Sequence, residues 1–188
     1  MARWCCDAKG GQAMKDMMLL VEPLIPALRR YARSLVRDRA AADDLVQDCL
    51  ERAITRWHQR RADGDARTWL FTILHNLAIS RLRQLARRGH HVGLDEADES
   101  ATARPPSQED GLRHREVLRA LETLPEEQRS VLLLVSVEDL SYAEAARVLD
   151  IPVGTVMSRL SRAREKLSRA MASEAAAPAP RPTLWRVK

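Results

Sequence analysis

The chain has 188 residues, enough for one medium domain or two small helical ones. Aromatic residues make up only 4% of it against 45% hydrophobic residues, which favours helices packed through aliphatic side chains over a β-sandwich. The net charge is +5, and three cysteines are too few for a disulfide framework. No apolar run reaches the roughly 20 residues of a membrane-spanning helix, and the start lacks a signal-peptide pattern. We therefore expect an all-α protein of the cytoplasm, inserted in no membrane.

The first half of the chain carries three stretches with helical spacing of apolar residues. After an N-terminal extension (1–18) expected to lack fixed structure, the first helix starts at Leu24 and stops near Asp38. Asp43 and Asp44 are predicted to cap the second, which reaches residue 58 with a core face that includes Leu45 and Cys49. A polar loop (58–66) precedes the third helix (67–88). These helices are predicted to form a first domain over residues 19–88.

Residues 89–111 differ from the rest because acids and a Pro-Pro pair dominate them, which indicates a flexible acidic linker. A second helical domain is predicted over residues 112–171. Pro125 and the acids after it mark one helix start, and Ser141 and Glu144 form the pattern of a capping box. The tail (172–188) is rich in Ala and Pro and is expected to be disordered.

The second domain ends in the spacing of a helix-turn-helix, a short capped helix followed by a turn and a long helix. In the long helix the periodicity predicts a buried stripe of Val153, Val156, Leu160, Ala163 and Leu167. The outward set is then Thr155, Ser158, Arg159, Arg162 and Lys166. Arginine is the natural bidentate partner of guanine, and Ser or Thr can bond to bases or phosphates, so this set predicts a DNA-reading face. An ordinary amphipathic helix with a basic face is the alternative.

Two more polar faces lie in the first domain. The predicted helix at 43–58 carries Asp44, Gln47, Asp48 and Glu51 on one face, which favours a protein-docking surface over a metal site because all four point the same way from one element. On the next helix the polar and basic residues are Asn76, Ser80, Arg83 and Arg87, which are able to pair with exposed bases and to neutralise phosphates. A solvated face is the alternative in both cases. No ligand set for a metal or a cofactor is recognised, and none is expected.

The motifs in combination resemble a known family. Residues 42–57 and 66–88, ADDLVQDCLERAITRW and ARTWLFTILHNLAISRLRQLARR, resemble region 2 of bacterial RNA polymerase sigma factors. Residues 121–167, LETLPEEQRSVLLLVSVEDLSYAEAARVLDIPVGTVMSRLSRAREKL, resemble region 4. With no domain between them, the chain is similar to the small extracytoplasmic-function group over residues 19–171.

The resemblance implies a role for each face. Region 2 of the family docks its acidic helix on the coiled coil of the polymerase β′ subunit, which corresponds to Asp44, Gln47, Asp48 and Glu51. Its next helix and the preceding loop capture melted bases of the −10 element, which corresponds to loop 58–66 and to Asn76 and Ser80, with Arg83 and Arg87 beside them. Region 4 inserts its second helix into the −35 major groove, which corresponds to Thr155, Ser158, Arg159 and Arg162. The implied partners are core RNA polymerase (β′ coiled coil and β flap), promoter DNA and an anti-sigma factor.

Two departures from the family and two rival functions remain. Met157 stands where many relatives carry a basic residue, and the helix implied to capture melted bases has few aromatics, with only Trp69 and Phe71 near its start. A stand-alone helix-turn-helix regulator would explain residues 141–170 but not the acidic helix. A carboxylate-metal nuclease would cleave DNA by itself with Mg²⁺. We expect a sigma factor without catalytic activity of its own.

Overall fold

The computed structural model describes residues 8–36, 38–60, 65–87, 117 and 119–175, and within them every regular element is a helix. This confirms the all-α prediction. The helices are α1 (Ala8–Val21), α2 (Ile25–Val36), α3 (Arg39–Arg56), α4 (Ala66–Arg87), α5 (Glu126–Ser136), α6 (Tyr142–Leu149) and α7 (Val153–Ala175). Single 3₁₀ turns at Glu22–Leu24 and Trp57–Gln59 lead into α2 and follow α3. The predicted linker (89–111), most of the tail and part of the loop before α4 lie outside the described residues.

The first domain is built from α2, α3 and α4, which pack around a core of aliphatic side chains and two aromatic rings. Tyr31 and Phe71 meet edge to face with their ring centroids 5.5 Å apart, a favoured aromatic geometry. Cys49 is fully buried beside them, and its thiol donates to the Leu70 carbonyl oxygen at 3.5 Å. Burial raises the pKa of Cys49 to about 12, so its thiol stays protonated and acts as a small core residue.

The start of the first domain differs from the sequence prediction in two places. A helix, α1, occupies Ala8–Val21 where the extension was expected to lack structure, because Met17 and Val21 are buried in the core of the first domain and tie the helix down. The cap of α3 is Asp38, not Asp43 or Asp44, and its carboxylate accepts from the backbone N–H groups of Ala40 and Ala41. The helix therefore begins four residues earlier than predicted.

The second domain contains α5, α6 and α7, packed through Val131, Leu134, Val148, Val156 and Leu160. A further helical stretch at 119–122 precedes α5, where the sequence predicted the first helix of this domain. Helix α5 begins immediately after Pro125 with Glu126 and Glu127 in its first turn, as predicted. The capping box of α6 is also confirmed. The Ser141 hydroxyl accepts from the Glu144 N–H at 3.3 Å, and the Glu144 carboxylate accepts from the Ser141 N–H at 2.7 Å.

The two domains contact each other through Glu138, which follows α5 and is only 1% exposed. Arg30 on α2 donates to both of its carboxylate oxygens, each at 2.8 Å, and Arg67 on α4 donates to its backbone carbonyl. The hydrogen bonds to Glu138 raise the pKa of Arg30 above its ordinary value, so the guanidinium keeps its charge. Helix α4 packs on α6 beside this bidentate pair. The first and second domains are therefore docked in this structure.

Candidate nucleic-acid and polymerase interface

The acidic face on α3 consists of Asp44, Gln47, Asp48 and Glu51, and all four side chains are exposed. Their spacing of three and four residues places them on one side of the helix, opposite Leu45, Cys49 and Ala53 in the core. Gln47 donates to the Glu51 carboxylate at 3.1 Å, and Asp44 lies 3.9 Å from Arg81. Asp43 stands apart because it pairs with Arg29 and Arg33 on α2. The face leaves most of its carboxylate oxygens to a basic partner.

A polar and basic stripe runs along α4, formed by Asn76, Ser80, Arg83 and Arg87, all of them exposed. The steps of four, three and four residues bring the four side chains onto one face of the helix. An amide and a hydroxyl at one end of the stripe and two guanidinium groups at the other combine base-edge partners with phosphate partners. This arrangement suits a single strand that crosses the helix.

The aromatic residues near the start of α4 differ in how far their rings are exposed to solvent. Phe71 is fully buried and belongs to the core, so it has no face for a base. Trp69 is half-buried and meets the edge of Trp57 with ring centroids 5.9 Å apart. Arg60 lies over the Trp57 ring at 4.7 Å from its centroid. Among the described residues, the Trp57–Trp69 pair is therefore the aromatic surface next to the loop at 58–66.

The start of α4 is fixed by Asp65, whose carboxylate accepts from the Thr68 hydroxyl at 2.7 Å and from the backbone N–H groups of Arg67 and Thr68. Burial by itself raises the pKa of Asp65, but the hydrogen bonds from Thr68 and Arg67 outweigh it and hold the pKa below its ordinary value. This cap fixes where α4 begins and so the direction of its polar stripe.

The helix-turn-helix of the second domain is formed by α6 and α7. The turn between them contains Asp150 in the left-handed conformation with φ 53°, and the Ile151 N–H donates to the Ala146 carbonyl at 3.1 Å. Helix α7 starts at Val153, where the N–H groups of Thr155 and Val156 bond to the Pro152 carbonyl. The N-terminal end of α7 is therefore rigidly held and faces solvent.

The four residues of α7 predicted to read DNA differ in exposure. Ser158 and Arg162 are exposed, and Thr155 and Arg159 are half-buried. The Ser158 hydroxyl donates to the Thr155 carbonyl at 3.1 Å, so its lone pairs remain as acceptors for a base amino group. The Arg159 side chain is 24% exposed, and its Nη2 lies 2.6 Å from Oε2 of Glu127 on α5. Sequence reasoning missed Glu127 because 32 residues separate it from its partner.

The buried stripe of α7 is confirmed for Val156, Leu160 and Ala163, with Leu167 partly buried, but not for Val153. Val153 is 39% exposed, so the burial of the stripe begins one turn into the helix, at Val156. Met157, one turn further on, is 50% exposed. The outward surface at this end of the helix is therefore more apolar than the sequence pattern indicates.

Within residues 8–36, 38–60, 65–87 and 119–175, no three His, Cys, Asp or Glu side chains come together as a metal site requires. None of the helices in the same ranges combines the length and the apolar character needed to cross a bilayer.

Comparison with protein families gives one match to each domain. Residues 21–75 match the family model described as the Sigma2 domain of PhyR, and residues 114–167 match that of Sigma-70, region 4. Across both domains, the chain is similar to the ECF RNA polymerase sigma factor EcfG of Rhodopseudomonas palustris (strain TIE-1). The two are 39% identical over 144 residues, which cover 77% of this chain and 78% of that protein.

Two solved structures are similar over most of the fold. The sigma factor RpoE of Bartonella quintana, in complex with the anti-sigma factor NepR, superposes with a TM-score of 0.68 and 32% identity, covering 85% of this chain and 96% of that one. CnrH, in complex with the cytosolic domain of CnrY, superposes with a TM-score of 0.66 and 28% identity over 87% of this chain and 95% of that one.

Proposed function

Because the chain belongs to the extracytoplasmic-function sigma factors, and so acts as an alternative sigma factor in transcription initiation, we propose how its three faces divide that work. The acidic face on α3 docks on the β′ coiled coil of core RNA polymerase. The polar and basic stripe on α4 (Asn76, Ser80, Arg83, Arg87) holds melted bases of the −10 element. Helix α7 enters the major groove of the −35 duplex through Thr155, Ser158, Arg159 and Arg162, while the second domain contacts the β flap.

The observation that carries this proposal is the coexistence, on the helices of one chain, of an exposed acidic face on α3 and two polar and basic faces on α4 and α7. A stand-alone regulator needs only α6 and α7, and the acidic face would then have no use. Docking by carboxylates fits a basic partner helix, since complementary charges steer association and fix the register. Core polymerase supplies such a partner in this family, and we place the protein in the cytoplasm with it.

The test is binding of the purified chain to core polymerase. Asp44→Arg plus Asp48→Arg reverses two charges at the centre of the acidic face, and we expect affinity to fall by about 10- to 100-fold, as for hot-spot charges. Glu165→Arg reverses one exposed charge on α7 and serves as the control, with affinity unchanged. Circular dichroism should show all variants folded. Unchanged core binding by the α3 double variant would contradict the docking role.

We also propose an anti-sigma factor as the regulatory partner, supported by the similar sigma factor RpoE, whose structure was solved in complex with the anti-sigma factor NepR. Adding the cognate partner to the holoenzyme should suppress promoter-dependent transcription and release the chain from core. Transcription that continues at saturating partner would exclude this form of regulation.

A further inference from the structure

The N-terminal end of α7 presents an apolar patch where a DNA-reading helix meets bases. Val153 and Met157 are one turn apart and both exposed, at 39% and 50%. Val156, which lies between them in the chain, and Leu160, which follows Met157, are buried in the core. Met157 therefore contributes nothing essential to packing. With Val153 it forms an exposed apolar pair at the end of α7 that a helix-turn-helix presents to the bases.

The surroundings of Met157 are those of a contact surface. Ser158 and Ser161 are exposed, the first next to Met157 in the chain and the second one turn further along the same face, and Arg162 is exposed beside Ser161. A Cβ atom added to Gly154, one turn before Met157, would meet no atom within 4 Å. The backbone of the first turn is thus open to close approach by another molecule. Basic residues around the patch, with Arg164 and Lys166 further along the helix, favour a polyanion as that molecule.

Within a major groove, one group is suited to an apolar side chain. The C5-methyl of thymine is the apolar feature on the edges of the four base pairs, and apolar side chains contact it directly. The methionine side chain is flexible and polarisable, so it can adjust its conformation to contact a methyl group. A basic residue in the same place would select guanine or a phosphate.

We propose that Met157 is a specificity-determining residue that packs against the C5-methyl of one thymine in the −35 duplex. The inference rests on the proposed function, because it needs α7 to lie in the −35 major groove. It goes further by naming a base pair type, A·T, at one position of the promoter. Ser158 and Arg162 flank the methyl contact and read or anchor the neighbouring positions.

The experiment removes the methyl group and nothing else. Holoenzyme is bound to promoter duplexes selected by the wild-type chain from a genomic library, each with one thymine of the −35 region, on either strand, replaced by deoxyuridine. Pairing with adenine is unchanged. At one position we expect affinity to fall about three- to fourfold, the loss of one buried methyl group.

The protein variants decide whether Met157 makes the contact. With Met157→Ser, the substitution of that thymine by deoxyuridine should have no effect. Met171→Ser is the matched control, since Met171 is an exposed methionine of the same helix, 14 residues or about 21 Å further along. It should keep the full sensitivity to deoxyuridine.

Several results would overturn the inference. It is wrong if the holoenzyme binds its promoter and no deoxyuridine lowers affinity, if the sensitivity persists in Met157→Ser, or if the −35 element contains no A·T pair. These outcomes leave the sigma-factor function intact. A chain that forms holoenzyme but selects no promoter would overturn the proposed function, and this inference with it.

Discussion

His75 on α4 is half-buried, and its Nδ1 lies 3.0 Å from the hydroxyl of Tyr31, which is buried on α2. Burial lowers the pKa of His75 from 6.5 to about 4, and the positive charge of Arg83 adds to the effect. The folded protein therefore keeps this imidazole neutral at a pH where the unfolded chain has already protonated it. Between pH 6.5 and 4 the unfolded state binds more protons, so stability falls as the pH falls.

We predict that His75→Gln removes this part of the pH dependence. The difference between the free energies of unfolding at pH 7 and pH 4 should shrink by about 3 kcal/mol relative to the wild type. Asp65 and Glu144, whose pKa values are also lowered, contribute equally to both proteins and cancel. Urea unfolding at a series of pH values measures the difference. Parallel pH curves for the two proteins would contradict the assignment.

The residues of the three faces illustrate what sequence alone predicts at this scale. Helical periodicity placed Asp44, Asn76 and Ser158 on solvent, because one buried face fixes the opposite one. Helical periodicity predicted neither the Arg159–Glu127 pair nor the exposure of Val153. Periodicity describes a helix alone, whereas these two features depend on which neighbouring helix covers each turn.

Elements were predicted best where their ends are set by local chemistry. Pro125 favours the start of a helix, and the Ser141–Glu144 capping box satisfies N–H groups in a first turn. The residue types alone therefore predicted where α5 and α6 begin. The start of α3 was assigned to Asp43 and Asp44, but Asp38 caps the helix because its carboxylate accepts from the backbone N–H groups of Ala40 and Ala41. Helix α1 was missed because Gly10 and Gly11 weaken its pattern, although Met17 and Val21 are spaced as a core pair.

The capping box gives a prediction for α6, an eight-residue helix that has little stability of its own. Ser141→Ala removes the acceptor for the Glu144 N–H, and we expect a loss of about 1 kcal/mol in the free energy of unfolding. Ser168→Ala, in the exposed interior of α7, should be neutral or slightly stabilising because alanine is the better helix former. Chemical denaturation compares them. Equal effects for the two variants would show that the box contributes nothing.

The whole molecule has a feature that sequence could not foresee, the docking of the two domains through Glu138. The sequence predicted two helical domains, and the comparisons confirm them as sigma regions 2 and 4. Arg30 and Glu138 are 108 residues apart, and each looks like any other surface charge in the sequence. Their pairing depends on how the two folded domains pack against each other, so no local sequence pattern predicts it.

We predict that Arg30→Ala destabilises the docked molecule by about 1–3 kcal/mol, less than for a fully buried pair because Arg30 is half exposed. The cost arises because Glu138 keeps a buried charge without its main partner. Arg29→Ala is the matched control, since Arg29 pairs with Asp43 at 3.7 Å on the surface, and it should cost less than about 1 kcal/mol.

A second substitution isolates the charge. Adding Glu138→Gln to Arg30→Ala should restore part of the stability, because a neutral amide is cheaper to bury than an unpaired carboxylate. Thermal and urea unfolding give the values. If Arg30→Ala and Arg29→Ala lose the same small amount, the bidentate pair does not hold the domains together.

The central claim is that the chain directs core RNA polymerase to promoters, and run-off transcription on a genomic library tests it most directly. With core polymerase and the purified chain, we predict transcripts from a restricted set of fragments that share one −35 and one −10 sequence, and none of them from core alone. The Asp44→Arg plus Asp48→Arg protein should give no such transcripts. Transcription no more selective than that of core alone, with a folded chain present in excess, would contradict the account.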